Sequence, residues 1–183
     1  MRRRRPPPRP ALPRRTLVWL PPDELFAATA NFRLLYDPLA AHVAPHVTLV
    51  FPFESTLGDV QVVAHVGKVV ARWPAIPVRF EGFGHFHNDW VYRRVSRGHD
   101  ALLELHDRLY RGALAQFLRM DLPYEPHLTI ARASREHDAD ALIAAARSAL
   151  PRADEALLSA LTLCRIDKDG TIRPGVRIPL GHA

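Results

Sequence analysis

The sequence predicts an α+β fold in which mixed or antiparallel sheets carry helices on their faces. Three observations lead there. Short apolar, β-branched runs bounded by Pro, Gly or Asp recur along the chain; stretches with apolar residues at helical spacing lie between most of them; and some strands follow one another with no helix between, which a doubly wound parallel sheet would not allow. With 183 residues, 48% apolar and 24% charged, the chain has globular composition and the size of one domain, which excludes collagenous, coiled-coil and mostly unfolded classes. No apolar stretch approaches the roughly 18 to 20 residues that span a bilayer, so no membrane association is expected. A single cysteine, Cys164, allows no internal disulfide, and no secretory leader pattern opens the chain, so a cytoplasmic protein is expected.

The net charge of +6 is unevenly spread, because residues 1–15 hold seven arginines and no acid. The rest of the chain is close to neutral, so a high isoelectric point says nothing for nucleic-acid binding by the folded part; that would need a local basic groove. Prolines at 6, 7, 8, 10 and 13 forbid helix in the same segment,. Residues 1–15 therefore read as a disordered Arg/Pro-rich arm and residues 16–183 as a single domain.

Residues 16–20, ended by Pro21-Pro22, form the first expected strand. Asp23 offers an N-cap to a helix with Leu25, Phe26, Phe32 and Leu35 on its inner face, closed at Asp37-Pro38. The second strand covers 46–51. Val62, Val66, Val69 and Val70 mark a helix within 58–73, stopped by Pro74. Strands at 76–83 and 90–95 are joined through 82–88. A helix over 101–118 carries Leu102, Leu105, Leu109 and Leu114, a strand follows at 127–131, and an alanine-rich helix spans 138–150. Two strands, 157–166 and 173–180, flank the turn sequence Asp167-Lys168-Asp169-Gly170.

One internal similarity carries the functional information: Pro45-His46-Val47-Thr48-Leu49-Val50 and Pro126-His127-Leu128-Thr129-Ile130-Ala131. In a strand the side-chain period is two, so each copy puts an imidazole and a hydroxyl on one face, His46 with Thr48 and His127 with Thr129. Strict alternation puts Val47, Leu49 and Phe51, and likewise Leu128 and Ile130, on the other. Displacement at phosphorus runs in line, with attacking and leaving oxygens on opposite sides, so a base and an acid must flank one phosphate. Two symmetry-related histidines suit both tasks at neutral pH, and the threonines can donate to the non-bridging oxygens.

These paired His-x-Thr motifs resemble those of the 2H phosphoesterase superfamily. The flanking text is similar to its 2′-5′ RNA ligase-like branch: RLLYDPLAAHVAPHVTLVFPF around the first motif, FEGFGHF before the middle strand, LLELHDRL on a helix and YEPHLTIAR around the second motif. The likeness covers nearly all of residues 16–181 and implies a bilobal fold with two pseudo-symmetric lobes of mostly antiparallel sheet, outer helices and a central cleft. It implies cyclic phosphodiesterase or 2′,5′-phosphodiester activity on RNA ends or nucleotides, with His46, Thr48, His127 and Thr129 in the catalytic roles, His46 as acid and His127 as base. The first motif departs from the pattern by continuing as Phe51-Pro52-Phe53 where better characterised members have Phe-Leu-Gly.

Arg132, Phe51, Tyr92 and Arg94 are further candidates for substrate contact. Arg132 falls on the non-cleft face by alternation unless the strand ends there, whereas Tyr92 and Arg94 share one face of their strand. His85, His87 and His99 lack partners of metal-ligand type, so no metal and no cofactor are expected. The expected partner is an RNA end or cyclic nucleotide as substrate, and a monomer is expected. A reading from another class is a non-catalytic RNA- or nucleotide-binding module using the same cleft.

Overall fold

The computed structural model describes residues 12–181. Most of the Arg/Pro-rich arm, residues 1–11, lies outside the described residues, as do 182–183. Strand β1 (Arg14–Trp19) starts before the expected boundary at residue 16. Arg15, assigned to the arm by its composition, is buried: its Nε donates to Asp59 Oδ1 at 2.6 Å and its guanidinium also reaches the Ser55 carbonyl. A partner 44 residues away makes an arginine part of the fold, and no local pattern announces it.

A 3-10 turn over Asp23–Phe26 leads into α1 (Ala27–Tyr36). The turn changes the phase of the helix, so its buried residues are Thr29, Phe32 and Arg33, while Leu35, expected inside, is 75% exposed,. The buried Arg33 is satisfied by Asp37, which accepts from its Nε at 3.0 Å and from a terminal nitrogen at 2.7 Å. Strand β2 (Val47–Glu54) follows, then α2 (Asp59–Val70), which buries Val62, Val66 and Val70.

Strands β3 (Ile76–Phe86) and β4 (Trp90–Arg97) form one long hairpin. The expected connection over 82–88 is mostly strand. Gly82, at φ +78, permits a break in register between Phe80 and Phe83, after which pairing resumes to Phe86,. The turn itself has His87 and Asn88 in the left-handed region. Helix α3 (His99–Leu109) stops short of the expected limit, and a 3-10 segment, Gly112–Phe117, takes over. Strand β5 (His127–Arg132) precedes α4 (Ala139–Ala149), capped by the Asp138 carboxylate accepting from the Ala141 N–H at 2.8 Å,. The expected strand 157–166 is two strands, β6 (Ala153–Leu158) and β7 (Ala160–Ile166), divided at Ser159 and belonging to different sheets. Strand β8 (Ile172–Pro179) closes the fold.

The first sheet has the order β2-β1-β7-β8 and the second β5-β4-β3-β6, with antiparallel pairing throughout. The chain thus runs twice through the same sequence of elements, β1-α1-β2-α2 and β4-α3-β5-α4. Each His-x-Thr strand lies at the edge of its sheet. The helices cross over: α1, from the first lobe, packs on β5, and α3, from the second, packs on β2. One apolar cluster containing Leu17, Leu49, Phe80, Leu105, Leu128 and Leu161 draws on both lobes of this α+β fold,.

Candidate active site

Both motif strands break the alternation at the same position. On β2, Val18 of β1 pairs with Thr48 and Leu17 with Val50, leaving Leu49 as an extra residue. On β5, Tyr92 of β4 pairs with Thr129 and Val91 with Ala131, leaving Ile130 as the extra one. Each copy therefore contains a one-residue β-bulge just after the threonine, and two consecutive residues, Leu49-Val50 and Ile130-Ala131, are buried in the core,. The next residue is then turned out of the core. This corrects the expected faces of Phe51 and Arg132: the bulge carries Phe51 away from the core and aligns Arg132 with Trp90 on the cleft-bearing face of β4.

His46 and His127 are held in the same manner. Nδ1 of His46 lies 2.9 Å from the Ala44 carbonyl, and Nδ1 of His127 lies 2.6 Å from the Glu125 carbonyl. A carbonyl can only accept, so in both rings Nδ1 carries the proton and Nε2 is left for other work. Desolvation pushes both imidazoles below the ordinary histidine value. The remaining influences differ. Around His46 the Ala44 hydrogen bond acts upward, the charges of Arg33 and His127 act downward, and Asp37 acts weakly upward; around His127 both the Glu125 carbonyl and the Glu125 carboxylate act upward. His127, 81 positions further along the chain, is among the charges that act on His46. Thr48 and Thr129 are half-buried, and neither hydroxyl is bonded to another described residue.

A cavity of about 280 Å³ adjoins His127 and Thr129, lined also by Phe51 from β2 and by Phe86 and Trp90 from the other lobe. Its character is mostly apolar. Tyr92 stacks on Phe86 with centroids 4.4 Å apart and lies 5.0 Å from the His127 ring. Its ring also covers Gly84 on β3, where a Cβ would stand 2.7 Å from the tyrosine oxygen. Arg132 is stacked over Trp90 at 4.5 Å and paired with Asp89 at 3.1 Å. Arg94, opposite His127 in the β4–β5 register, is exposed and has no carboxylate partner among the described residues. Of the two arginines, Arg94 is the freer to meet an anion.

Three residues outside the His-x-Thr motifs hold the first strand. Tyr124 Oη donates to the Thr48 carbonyl at 2.8 Å, His106 Nδ1 donates to the Leu49 carbonyl at 2.9 Å, and the Phe51 N–H donates to Tyr110 Oη at 2.8 Å. The His106 and Tyr124 rings stack at 3.7 Å, nearly parallel. Tyr124 stands three residues before His127, so its bond to Thr48 ties the approach of one motif directly to the other. Only its position in YEPHLTIAR distinguished it in the sequence. Among the described residues no group of three or more His, Cys, Asp or Glu side chains converges as a metal site. His99 instead contacts Asp100 and Glu125.

The chain matches the family described as the 2'-5' RNA ligase superfamily over residues 21–170. A protein of Geobacillus thermodenitrificans named "Putative phosphoesterase" is 30% identical over 105 residues, which is 56% of this chain and 59% of that protein. One of the same name type from Geobacillus kaustophilus is 29% identical over 119 residues, 63% of this chain and 67% of the relative. Among solved structures, E. coli LigT complexed with ATP matches with a TM-score of 0.64 at 19% identity, covering 93% of this chain and 99% of that one. LigT complexed with 3'-AMP gives 0.63 at 17%. At such identities the structures speak for the fold, and the fold agrees with the family match that spans most of the chain: this protein belongs to the 2'-5' RNA ligase superfamily of 2H phosphoesterases.

Proposed function

We propose that this protein is a phosphodiesterase that opens 2′,3′-cyclic phosphates, or related cyclic nucleotide and 2′,5′ linkages, by acid–base catalysis between His46 and His127. The observation that carries this reading is the duplicated carbonyl lock, which leaves Nε2 of each ring available at one site. In the reaction one neutral imidazole takes a proton from water as its oxygen attacks phosphorus. The protonated imidazole gives its proton to the ribose oxygen as the P–O bond breaks, so a phosphomonoester leaves and the proton has changed rings. Thr48 and Thr129 donate to the non-bridging oxygens, whose charge grows during attack. Arg94 meets the phosphate, and the aromatic cavity beside His127 receives the base, with Phe51, Phe86 and Trp90 as stacking surfaces,.

The charges beside the rings support a division of roles. Glu125 favours a proton on His127, whereas beside His46 Arg33 acts downward and its partner Asp37 upward. In this reading His127 is the acid and His46 the base, the reverse of the assignment that the family resemblance implies. Relatives named as phosphoesterases and LigT structures holding nucleotides agree with a nucleotide phosphodiester as substrate. The test is a turnover screen of the purified protein against cyclic phosphates on mononucleotides, RNA ends and ADP-ribose. Ring opening that vanishes in His46→Ala and His127→Ala supports the reading. Tight nucleotide binding without turnover, surviving His-to-Asn changes, replaces it with the binding-module reading.

A further inference from the structure

Outside the arm the chain is nearly neutral, so any local accumulation of cations is informative, and one exists far from the motifs in sequence. Helix α2 ends with Lys68 in its last turn and Arg72 just beyond; α3 ends with Arg108 and is followed by Arg111. The two helices pack together, and these four cations line a groove of about 710 Å³ with Trp73 and Glu104. Cations at helix C-termini offset the macrodipole. That explains why each helix ends as it does, but not why both ends open onto one groove.

We infer that this α2–α3 groove binds the phosphodiester strand of single-stranded nucleic acid, holding a longer substrate away from its reacting end. Charge supports the choice of ligand. Only Arg108 has an acidic partner, Glu104 at 3.2 Å, while Lys68, Arg72 and Arg111 have none among the described residues. Two cations from the end of each helix line the same groove, and four cations from two elements fit a strand of phosphodiesters better than a single phosphate. The half-buried Trp73 adds a flat apolar surface of the kind on which bases stack regardless of sequence,. The cavity beside His127 offers little for phosphates, since its lining is mostly apolar and includes Glu125. A groove elsewhere is then the natural place for the rest of a strand. The inference relies on the proposed function only in choosing RNA as the probe, and its test needs no turnover.

The experiment follows the anisotropy of a fluorescein-labelled 12-nucleotide uridine RNA with a 3′ hydroxyl, titrated with the full chain at several salt concentrations. The variants are Lys68→Glu/Arg72→Glu/Arg111→Glu and, as a control with the same change in net charge, Arg97→Glu/Arg147→Glu/Arg152→Glu. The groove variant should bind at least about tenfold more weakly than the control, with a slope of log K against log[salt] shallower by about 2, from roughly 0.7 per lost phosphate contact on a single strand. Equal losses in both variants, or none in the groove variant, overturn the inference. So does competition by uridine monophosphate as effective as that by the unlabelled 12-mer, which would make the groove a small-phosphate site. If the charge-reversed groove variant does not fold, the Lys68→Gln/Arg72→Gln/Arg111→Gln form, read against Gln at the control positions, decides by the same criteria. A small cyclic nucleotide assayed in parallel separates this question from the chemistry: failure to turn it over in the wild type would count against the proposed function, and leave the binding comparison standing.

Discussion

The two motif strands, β2 and β5, share their backbone geometry and differ in almost everything that surrounds it. Both bulge one residue after the threonine, and both lock the histidine Nδ1 on the carbonyl two residues earlier. Yet the carbonyls of Thr48, Leu49 and Val50 on β2 are taken by Tyr124, His106 and Thr16, while no side chain among the described residues bonds to the β5 backbone between Leu128 and Ala131. Around His127 the neighbours are Phe86 and Tyr92, and the nearby charge is the Glu125 carboxylate; around His46 it is the Arg33–Asp37 pair. The comparison teaches that geometry was duplicated and electrostatics were not. In the proposed function, that difference is what divides a symmetric scaffold into an acid and a base.

The strongest way to break this comparison is to remove each ring. His46→Ala and His127→Ala should each lower kcat/KM by about 10² to 10⁴ on a cyclic nucleotide. A substrate with a very good leaving group needs no proton from the protein, so it should restore activity to the His127 variant and not to the His46 variant. Equal recovery of both removes the distinction between the rings, and recovery of His46→Ala alone inverts it.

A smaller effect is expected from a change confined to the second lobe. Gly84→Ala would put a methyl group into the Tyr92 ring, which in turn rests against His127. The ring is the movable partner, and a misplacement near an ångström can cost about 10² in rate. A full rate with intact folding would show that Tyr92 does not position His127. Its counterpart on the first lobe is Tyr124→Phe, which keeps the stack on His106 and deletes the bond to the Thr48 carbonyl. One such bond is worth about 1 kcal/mol net, so a loss of about five- to tenfold is expected, in kcat more than in KM. An effect on KM alone would assign Tyr124 to binding instead.

The pH profile sharpens the electrostatic half. Because desolvation lowers both imidazoles, the neutral forms are favoured in the free protein and the singly protonated pair becomes abundant only as pH falls below about 6.5,. The bell in kcat/KM should therefore peak on the acid side of 6.5, falling again once the second ring takes a proton. The bell in kcat should lie higher, since a bound phosphate anion favours imidazolium. A kcat/KM optimum above pH 7 would contradict the lowered values. The smallest expected effect is that of chelation: if the two rings and two hydroxyls supply the acid, base and donors, EDTA leaves the rate unchanged, and loss restored by zinc or manganese would require another mechanism.

The hexapeptide repeat was sufficient to mark the strands β2 and β5, because a strand's period of two makes the polar and apolar faces readable one residue at a time,. The valine face of α2, the proline stops and the turn after Ile166 are equally local, and each stands where the sequence puts it. Alternation misled only beyond the bulges, at Phe51 and Arg132, since an extra residue is specified by pairing with β1 and β4 and leaves no mark on either strand alone,. The burial of Arg15, the division at Ser159 and the hold of His106, Tyr110 and Tyr124 on β2 likewise depend on partners distant in the chain. Sequence alone determines periodicity, turn chemistry and the repeated His-x-Thr pattern, all properties of a few consecutive residues. Which face a bulged residue takes, and which charge stands beside each imidazole, is decided only when two sheets and their exchanged helices close around the same cleft.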